Sequence, residues 1–514
     1  MSWEKEVEEI QRRRAEAGKM GGEEVLARRR ARGRLSVRER IDGLLDAESF
    51  AEHGPSAGVA EEDGSFTPGN YVLGFGKIGG RLCVVGGEDF TVRGGSPNPA
   101  GLRKSVYAEE LACHYRVPLV RLHEGAGGSV TGARGKGSSG PIGEPVFHRP
   151  RFQSVAEAMA SVPVATAALG AVAGLPAARL VASHYAVMTA ETAQILVAGP
   201  AVVERALGTP ISKEDLGGAQ VHGSNGVVDA VVADEAAAFE AIRRFLSYMP
   251  QNVWELAPTA ETAEPAEAAQ EKLLSIVPRD RRHPFDMRKV IAAVLDRDSF
   301  FEIGRAYGPG QITGLARLGG QTVGILGNDC RLYAGAMTAA GARKVRRLIE
   351  LCDAFHLPMV SLVDEPGFMI GAEAETEGAI RYGTAAVLAA AEFEPPWASV
   401  IVRKSYGVAQ AAHYGADAYV LSWPSAEMGA LPLEGGVAVA FAREIAAAQD
   451  PEARRQELEE EMAARLSPFP RDESFAVHAL IDPRETRARL LEWLEWSLPL
   501  LPGLLGPRRF GIRP

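Results

Sequence analysis

Short apolar runs alternate with amphipathic segments along most of the chain. Residues 119–122 and 359–363 are short, mostly apolar runs that each follow a proline, a pattern typical of buried parallel strands. Within Ala342–Phe355 the apolar residues recur at helical spacing, which predicts a helix. The pattern of Tyr71–Asp89 predicts two strands joined by a Gly-Gly turn. Strands that alternate with helices predict an α/β architecture with a mostly parallel sheet.

The same order of elements occurs twice. The segment GLRKSVYAEELACHYRVPLVRLHEGAG, from Gly101, shares many residues without a gap with GARKVRRLIELCDAFHLPMVSLVDEPGF, from Gly341. The spacing between matching segments changes only slightly elsewhere, as expected for loop insertions in two copies of one domain. We therefore predict an N-terminal domain over 1–260 and a C-terminal domain over 274–514. The Ala-, Glu- and Pro-rich stretch 258–273 predicts a linker.

Composition favours a globular protein of the cytoplasm. The 514 residues are 46% hydrophobic and 24% charged, and the net charge of -10 argues against a nucleic-acid partner. The four cysteines form no C-x-x-C pair and lie in apolar patterns, which predicts reduced thiols. Residues 158–178 carry no charge, but Pro163 and Gly170 within them favour a buried strand and turn over a membrane span. We expect no signal peptide and no membrane contact.

The usual catalytic motifs are missing from the sequence. It contains no G-x-S-x-G, no H-E-x-x-H, no phosphate-binding P-loop and no pair of histidines at metal-ligand spacing. We therefore expect no metal at the active site. His123 and Glu124 follow a predicted strand, but adjacent strand residues point to opposite faces, which disfavours a catalytic pair.

Glycine ends the last predicted strand of each copy. A strand that ends in glycine and opens a helix presents free backbone N–H groups and the positive end of the helix dipole, which together can hold an oxyanion. The candidate donors are Gly174 and Leu175 in the first copy, since Pro176 has no N–H, and Val408 and Ala409 in the second. The alternative is that these glycines only permit a tight turn.

Six motifs in order give the chain a family resemblance. It resembles the carboxyltransferase (β) subunit of biotin-dependent acyl-CoA carboxylases, of the propionyl-CoA and methylcrotonoyl-CoA carboxylase type, over nearly its whole length. The matching segments are Gly33–Ile41, Glu88–Ser96, Glu214–His222 with Ser224–Asp229, Val363–Phe368, Arg403–Gly407 and Trp423–Glu427.

The resemblance implies a fold and an assembly. It implies two tandem crotonase-like (ClpP/crotonase) βαβ superhelical domains, the first binding an acyl-CoA thioester and the second binding carboxybiotin. It implies a hexamer built as a trimer of dimers. The chain contains no A-M-K-M biotin-attachment sequence, so biotin would be carried by a biotin carboxyl carrier partner and loaded by a biotin carboxylase. In the family, biotin itself is expected to take the α-proton, so no side-chain base is needed.

The resemblance also implies which residues contact the substrates. Residues implied to bind acyl-CoA are Gly94, Gly95, Gly127, Gly128, Ala133, Arg134, Gly218, Ala219 and His222. Residues implied to bind biotin are Gly367, Phe368, Tyr406 and Gly407. We expect His222 to support the CoA-binding loop, because a lone histidine seldom acts without a partner.

The sequence departs from the family at three places. Leu175 stands where the family usually has glycine, and Val408 and Ala411 change the family's Tyr-Gly-Gly-Ala-Tyr-Asp segment. The family's Gly-Gly-Ala-Arg loop lies here in a glycine-rich insertion, 125–143. These changes leave the acyl chain undetermined. They also leave three alternatives: a biotin-dependent acyl-CoA decarboxylase, a non-catalytic assembly subunit, or a hydratase or isomerase, which would need a pair of acidic residues at the cleft.

Overall fold

The computed structural model describes residues 2–60, 62–127, 152–464 and 467–508. They form two compact units. The first unit runs to Glu255 and also takes in Gly506, and the second unit runs from Leu256 to Leu505.

The first unit is a mostly parallel sheet with helices between its strands. Its helices are α1 (Glu4–Lys19), α2 (Glu23–Arg30), α3 (Val37–Leu44), α4 (Pro99–Tyr115), α5 (Phe152–Met159), α6 (Leu175–Val181), α7 (Pro200–Leu207), α8 (Lys213–Gly217), α9 (Ala219–His222) and α10 (Glu235–Tyr248). Its strands are β1 (Ala51–Glu52), β2 (Gly58–Ala60), β3 (Phe66–Pro68), β4 (Tyr71–Ile78), β5 (Arg81–Glu88), β6 (Leu119–Gly125), β7 (Val164–Ala173), β8 (Tyr185–Thr189), β9 (Gln194–Leu196) and β10 (Ala230–Val232).

The strand order places the predicted Gly174 turn at the carboxyl ends of neighbouring parallel strands. The described strands pair in the order β1-β4-β5-β6-β7-β8-β10, and β9 pairs with the last residues of β7. Strands β1, β4 and β5 are antiparallel neighbours, and the pairs from β5 to β10 are parallel. The carboxyl ends of β6 and β7 therefore lie side by side, where ligands bind in parallel sheets.

The second unit repeats this sheet. Its helices are α11 (Glu267–Glu271), α12 (Leu273–Ile276), α13 (Met287–Val294), α14 (Ala339–Ala354), α15 (Ala372–Glu377), α16 (Ala379–Ala391), α17 (Leu433–Ala440), α18 (Ala442–Ala447), α19 (Pro451–Ala464), α20 (Phe469–Glu473) and α21 (Thr486–Ser497). Its strands are β11 (Phe301–Glu302), β12 (Gln311–Leu318), β13 (Gln321–Asn328), β14 (Met359–Glu365), β15 (Trp397–Tyr406), β16 (Tyr419–Ser422), β17 (Glu427–Gly429) and β18 (Ala479–Leu480). Their order is β11-β12-β13-β14-β15-β16-β18, with β17 against β15. The predicted α/β architecture and internal repeat are confirmed.

Equivalent residues hold equivalent turns in the two units. The Asp46 carboxylate accepts the N–H groups of Gly79–Gly80 at 3.0 and 2.8 Å. The Asp296 carboxylate accepts those of Gly319–Gly320 at the same distances. The glycines adopt positive φ, which suits the hairpin turn, and the aspartate satisfies N–H groups that a tight turn leaves open.

The stretch predicted as a linker packs on the second unit. Residues 258–273 include α11, and the N–H of Ala260 donates to the carbonyl oxygen of Gly320 at 2.9 Å. The Leu273 side chain is buried in the core with residues of α13 and β12. Local composition does not reveal these long-range contacts, and the sequence of the stretch therefore resembles that of a linker.

The uncharged stretch 158–178 spans the end of α5, strand β7 and the start of α6, as predicted. Across the described ranges, no helix combines the length and apolarity that a membrane span requires. The four cysteines are free thiols, and all except Cys113 are buried.

Candidate active site

The first glycine turn lies where β7 meets α6. Strand β7 ends at Ala173, and Gly174 follows with φ of +65° and ψ of -127°. The N–H of Gly174 donates to the carbonyl oxygen of Leu196 in β9, at 3.3 Å. Leu175 is the first residue of α6, and its N–H has no acceptor among the described residues. The structure thus differs from the prediction at Gly174, whose N–H is used in the sheet, and leaves Leu175 as a free donor.

Several backbone segments approach each other closely around this turn. Residues 93–95 form a left-handed turn with φ of +53°, +63° and +73°. A Cβ on Gly95 would lie 2.6 Å from the Cα of Gly125, and one on Gly174 would lie 3.1 Å from the Cα of Gly127. Glycine is required at residue 95 because a side chain would overlap the end of β6. The predicted substrate residues Gly95 and Gly127 therefore adjoin the carboxyl ends of β6 and β7.

The predicted CoA-binding loop packs on β9. Gly218 and Ala219 begin α9, and the ring of His222 at its end lies with Nε2 2.8 Å from the carbonyl oxygen of Ile195. Asn225 Nδ2 lies 3.1 Å from Nδ1 of the same ring. Since both ring nitrogens have partners, the contacts of His222 are those of a residue that supports the loop. Gly128, Ala133 and Arg134 lie outside the described residues.

The second unit has an equivalent turn after β15. Gly407 has φ of +63°, and its N–H donates to the carbonyl oxygen of Gly429 in β17, at 3.1 Å. Val408 and Ala409 follow and lead into a 3-10 helix, Ala409–His413. In the described part of the chain, the N–H groups of Val408 and Ala409 have no acceptor. Val408 is 63% exposed, so solvent or a ligand can reach this turn.

The other predicted biotin residues adjoin this turn. Gly367 and Phe368 follow β14, whose Glu365 is in register with Ser405 of β15. Phe368 pairs with Met337 as an isolated bridge, and its ring occupies the space that a side chain at Gly383 would need. The Tyr406 hydroxyl donates to the Glu427 carboxylate at 3.1 Å. The four predicted biotin residues thus lie at the carboxyl ends of two neighbouring parallel strands.

Buried ion pairs fix the end of β6. His123 and Glu124 have different side-chain partners: His123 Nδ1 lies 3.2 Å from the Glu88 carboxylate, whereas Glu124 pairs with Arg40 at 2.7 Å and also with Arg29. Burial opposes the charge of Arg40, but the carboxylates of Glu235 and Glu124 outweigh it and raise its pKa. This network ties α2 and α3 to the strand end that carries the predicted site.

Sequence reasoning missed a polar cluster behind the second turn. Glu365 is fully buried and accepts hydrogen bonds from the N–H of Gly367 at 2.9 Å and from Asn328 Nδ2 at 3.0 Å. His413, also fully buried, lies with Nε2 3.5 Å from Glu365 and Nδ1 2.7 Å from the hydroxyl of Ser361. Burial raises the pKa of Glu365 despite these partners. No local pattern links 361, 365 and 413, so only the fold reveals the cluster.

Both turns offer backbone N–H groups rather than ionisable side chains. Such donors suit an oxygen that becomes negative during a reaction. Across the described ranges, no group of three or more His, Cys, Asp and Glu side chains is arranged to hold a metal ion.

Comparison with known proteins identifies the family. Residues 28–498 match the carboxyl transferase domain family. The chain is 34% identical over 505 residues to the carboxyltransferase subunit of propionyl-CoA carboxylase from Haloferax mediterranei, with 96% of each chain covered. It is 30% identical over 501 residues to the α subunit of methylmalonyl-CoA decarboxylase from Veillonella parvula, covering 96% of this chain and 95% of that one.

A solved structure has a similar fold over the whole chain. The crystal structure of the 12S transcarboxylase, described as a hexamer and containing methylmalonyl-CoA and methylmalonic acid, matches with a TM-score of 0.85 at 29% identity. The match covers 100% of this chain and 97% of the other. It confirms the crotonase-like fold expected for both units. The chain therefore belongs to the carboxyl transferase family, the carboxyltransferase subunits of biotin-dependent acyl-CoA carboxylases.

Proposed function

We propose that this chain transfers a carboxyl group from carboxybiotin, carried on a partner protein, to an acyl-CoA. The observation that carries the proposal is the repeated turn: each unit ends a parallel strand with a positive-φ glycine and then presents backbone N–H groups without a partner among the described residues. The family assignment supplies the reaction class, and the turns supply a physical means of performing it.

The first turn is assigned to the acyl-CoA. Removing a proton next to a thioester places negative charge on the thioester oxygen, and a donor already in position stabilises that charge without reorganisation. The free N–H of Leu175 at the start of α6 is the proposed donor, reinforced by the positive end of the helix. Gly94, Gly95 and Gly127 are assigned to the same substrate, because Gly95 and Gly127 adjoin the carboxyl ends of β6 and β7.

The second turn is assigned to biotin. When bound, carboxybiotin supplies the carboxyl group. The free N–H groups of Val408 and Ala409 suit the ureido oxygen of its ring, and the exposed position of Val408 permits entry. Gly367 and Phe368 would border the ring, and Tyr406 would keep its orientation through Glu427.

The first experiment tests carboxyl transfer in the reverse direction. The purified full-length chain is incubated with free biocytin and, separately, malonyl-, methylmalonyl-, ethylmalonyl- or 3-methylglutaconyl-CoA. We expect biocytin-dependent loss of the carboxyl group from at least one thioester. Reactions without biocytin are the control. A folded chain that binds CoA but acts on none of the four would contradict the proposal.

A biotin-dependent decarboxylase is a second candidate, because one relative is a methylmalonyl-CoA decarboxylase subunit. Both candidates share the half-reaction above and differ in the partner that uses the carboxylated biotin. Co-purification with a biotin carboxylase would support carboxylation, whereas co-purification with a membrane-bound biotin decarboxylase would support the second candidate.

We also propose that the chain assembles as a hexamer of three dimers, and the description of the 12S transcarboxylase as a hexamer supports the hexamer. Light scattering on the purified chain would show a mass six times that of the 54.8 kDa chain. A monomer at working concentration would overturn this part of the proposal.

A further inference from the structure

The buried carboxylate of Glu365 connects two segments of the proposed biotin site. One oxygen, Oε1, accepts the N–H of Gly367 at 2.9 Å and so fixes the start of the 367–368 loop. The other, Oε2, accepts from Asn328 at 3.0 Å and lies 3.5 Å from Nε2 of His413. Glu365 therefore contacts the loop on one side and the 3-10 helix on the other.

His413 connects the helix to the sheet. It is the last residue of the 3-10 helix Ala409–His413, which begins with one of the free N–H groups. Its Nδ1 lies 2.7 Å from the hydroxyl of Ser361 in β14, and its carbonyl oxygen accepts from Ser399 at 2.6 Å. The His413 ring is fully buried, and Nε2 makes no hydrogen bond among the described residues, so its 3.5 Å contact with Glu365 is electrostatic. Any shift of the helix that carries Ala409 would disturb these contacts.

The first unit anchors its turn differently. Arg121 is the third residue of β6, as Ser361 is of β14, and its Nη1 donates to the carbonyl oxygens of Arg179 and Ala182 at 3.2 and 3.3 Å. Arg121 is held in turn by Glu109 at 2.8 Å. The first turn is thus fixed by a guanidinium, and the second by a histidine and a buried acid.

We propose that Glu365 and His413 are positioning residues for biotin: together they hold the 367–368 loop and the Val408–Ala409 turn in one arrangement. The proposal rests on the assignment of biotin to the second unit. Neither side chain touches the ligand, so their effect is on the geometry of backbone donors. A misplaced donor weakens binding of the ring and leaves the acyl-CoA site of the first unit unchanged.

Two substitutions at one position separate the two contacts of the ring. His413→Asn places an oxygen near the position of Nδ1, which keeps the Ser361 contact and loses Glu365. His413→Gln places an amide N–H near Nε2, which keeps Glu365 and loses Ser361. Both remove an imidazole from the same buried site, so each controls for the packing loss of the other.

The measurement is the steady-state kinetics of biocytin-dependent decarboxylation. We expect His413→Asn to raise the KM for biocytin about tenfold, because the buried Glu365 carboxylate loses its imidazole neighbour. We expect His413→Gln, which keeps the Glu365 contact, to raise it less, and the KM for the thioester to be unchanged in both. Equal KM values for biocytin in the two variants would overturn the proposal.

Hydrogen exchange gives a second readout that needs no turnover. We expect exchange of the amides of 367–369 and 408–413 to be faster in His413→Asn than in His413→Gln, with no change in the first unit. Identical exchange in both variants would overturn the positioning role. If the parent chain acts on no thioester, the proposed function fails, and the exchange data still decide whether Glu365 holds these segments.

Discussion

The guanidinium of Arg403 binds the carboxylate of Asp364 through two hydrogen bonds, of 3.0 and 2.9 Å, at the buried end of β14. Both side chains are almost fully buried. The same carboxylate accepts the N–H of Lys404 at 3.1 Å. The pair therefore ties β14 to β15 next to the 367–368 loop.

Removing one partner of this pair should destabilise the second unit strongly. Arg403→Met leaves the Asp364 carboxylate buried without its cation, so we expect the free energy of unfolding to fall by about 3–5 kcal/mol. Urea unfolding followed by fluorescence measures the change. The matched control is Arg346→Met, which breaks an exposed pair with Glu350 and should cost less than about 1 kcal/mol. Similar losses in the two variants would show that the buried pair contributes little.

Replacing Leu175 tests the first turn. Leu175→Pro removes the N–H, and proline is tolerated at the first residue of a helix, so the fold should survive. We expect kcat for decarboxylation to fall about 10²- to 10³-fold, the loss typical of one oxyanion donor. Leu175→Ala keeps the N–H and should retain kcat within about tenfold. If the proline variant keeps full activity, the donor lies elsewhere.

The left-handed turn at 93–95 predicts different outcomes for neighbouring glycines. A Cβ on Gly94 would contact nothing within 4 Å, whereas one on Gly95 would overlap Gly125. We expect Gly94→Ala to lower the free energy of unfolding by about 1–2 kcal/mol, the strain of a left-handed alanine. Gly95→Ala should lower it further. The equivalent of Gly94 in the second unit is Ala334, which has φ of +55°. Urea midpoints for the two variants provide the comparison, and a milder effect at 95 would contradict the close approach.

The buried Lys344 predicts a dependence of stability on pH. Burial lowers its pKa to about 7 from the usual 10.5, and its Nζ donates to the carbonyl oxygen of Gly304 at 2.9 Å. Between these two values the unfolded chain binds a proton that the folded chain does not, so stability should rise with pH. The rise is at most about 1.4 kcal/mol per pH unit for this residue.

Urea midpoints measured between pH 7 and pH 10 test this dependence. Lys344→Met should flatten the rise, whereas Lys289→Met, at an exposed position of α13, should leave it in place. An identical slope in the parent and in Lys344→Met would show that the lysine is charged in the folded protein above pH 7.

Most of the fold could be predicted from local pattern and repetition. The hairpin turn at Gly79–Gly80, helix α14 and the strand ends at Gly174 and Gly407 all depend on spacing within a few residues. The packing of 258–273 on the second unit was not predicted, because Leu273 and Ala260 are held by residues far along the chain. Local composition does not reveal such contacts.

The candidate site was likewise only partly predictable from the sequence. The glycine in each turn allowed the position of the turn to be predicted. The hydrogen bond of the Gly174 N–H was not predicted, because its acceptor Leu196 belongs to a separate three-residue strand. The group of Ser361, Glu365 and His413 was missed because its members come together only when β14 and the 3-10 helix pack.

The proposed donor at Leu175 is a backbone N–H, so it does not depend on the side chain at this position. Every amino acid except proline supplies the same N–H at that position. The side chain at 175 can therefore vary in size and polarity, and so alter what fits at the proposed acyl-CoA site, while the proposed charge-stabilising group stays in place. Substrate range and catalytic competence can thus change independently at a single residue.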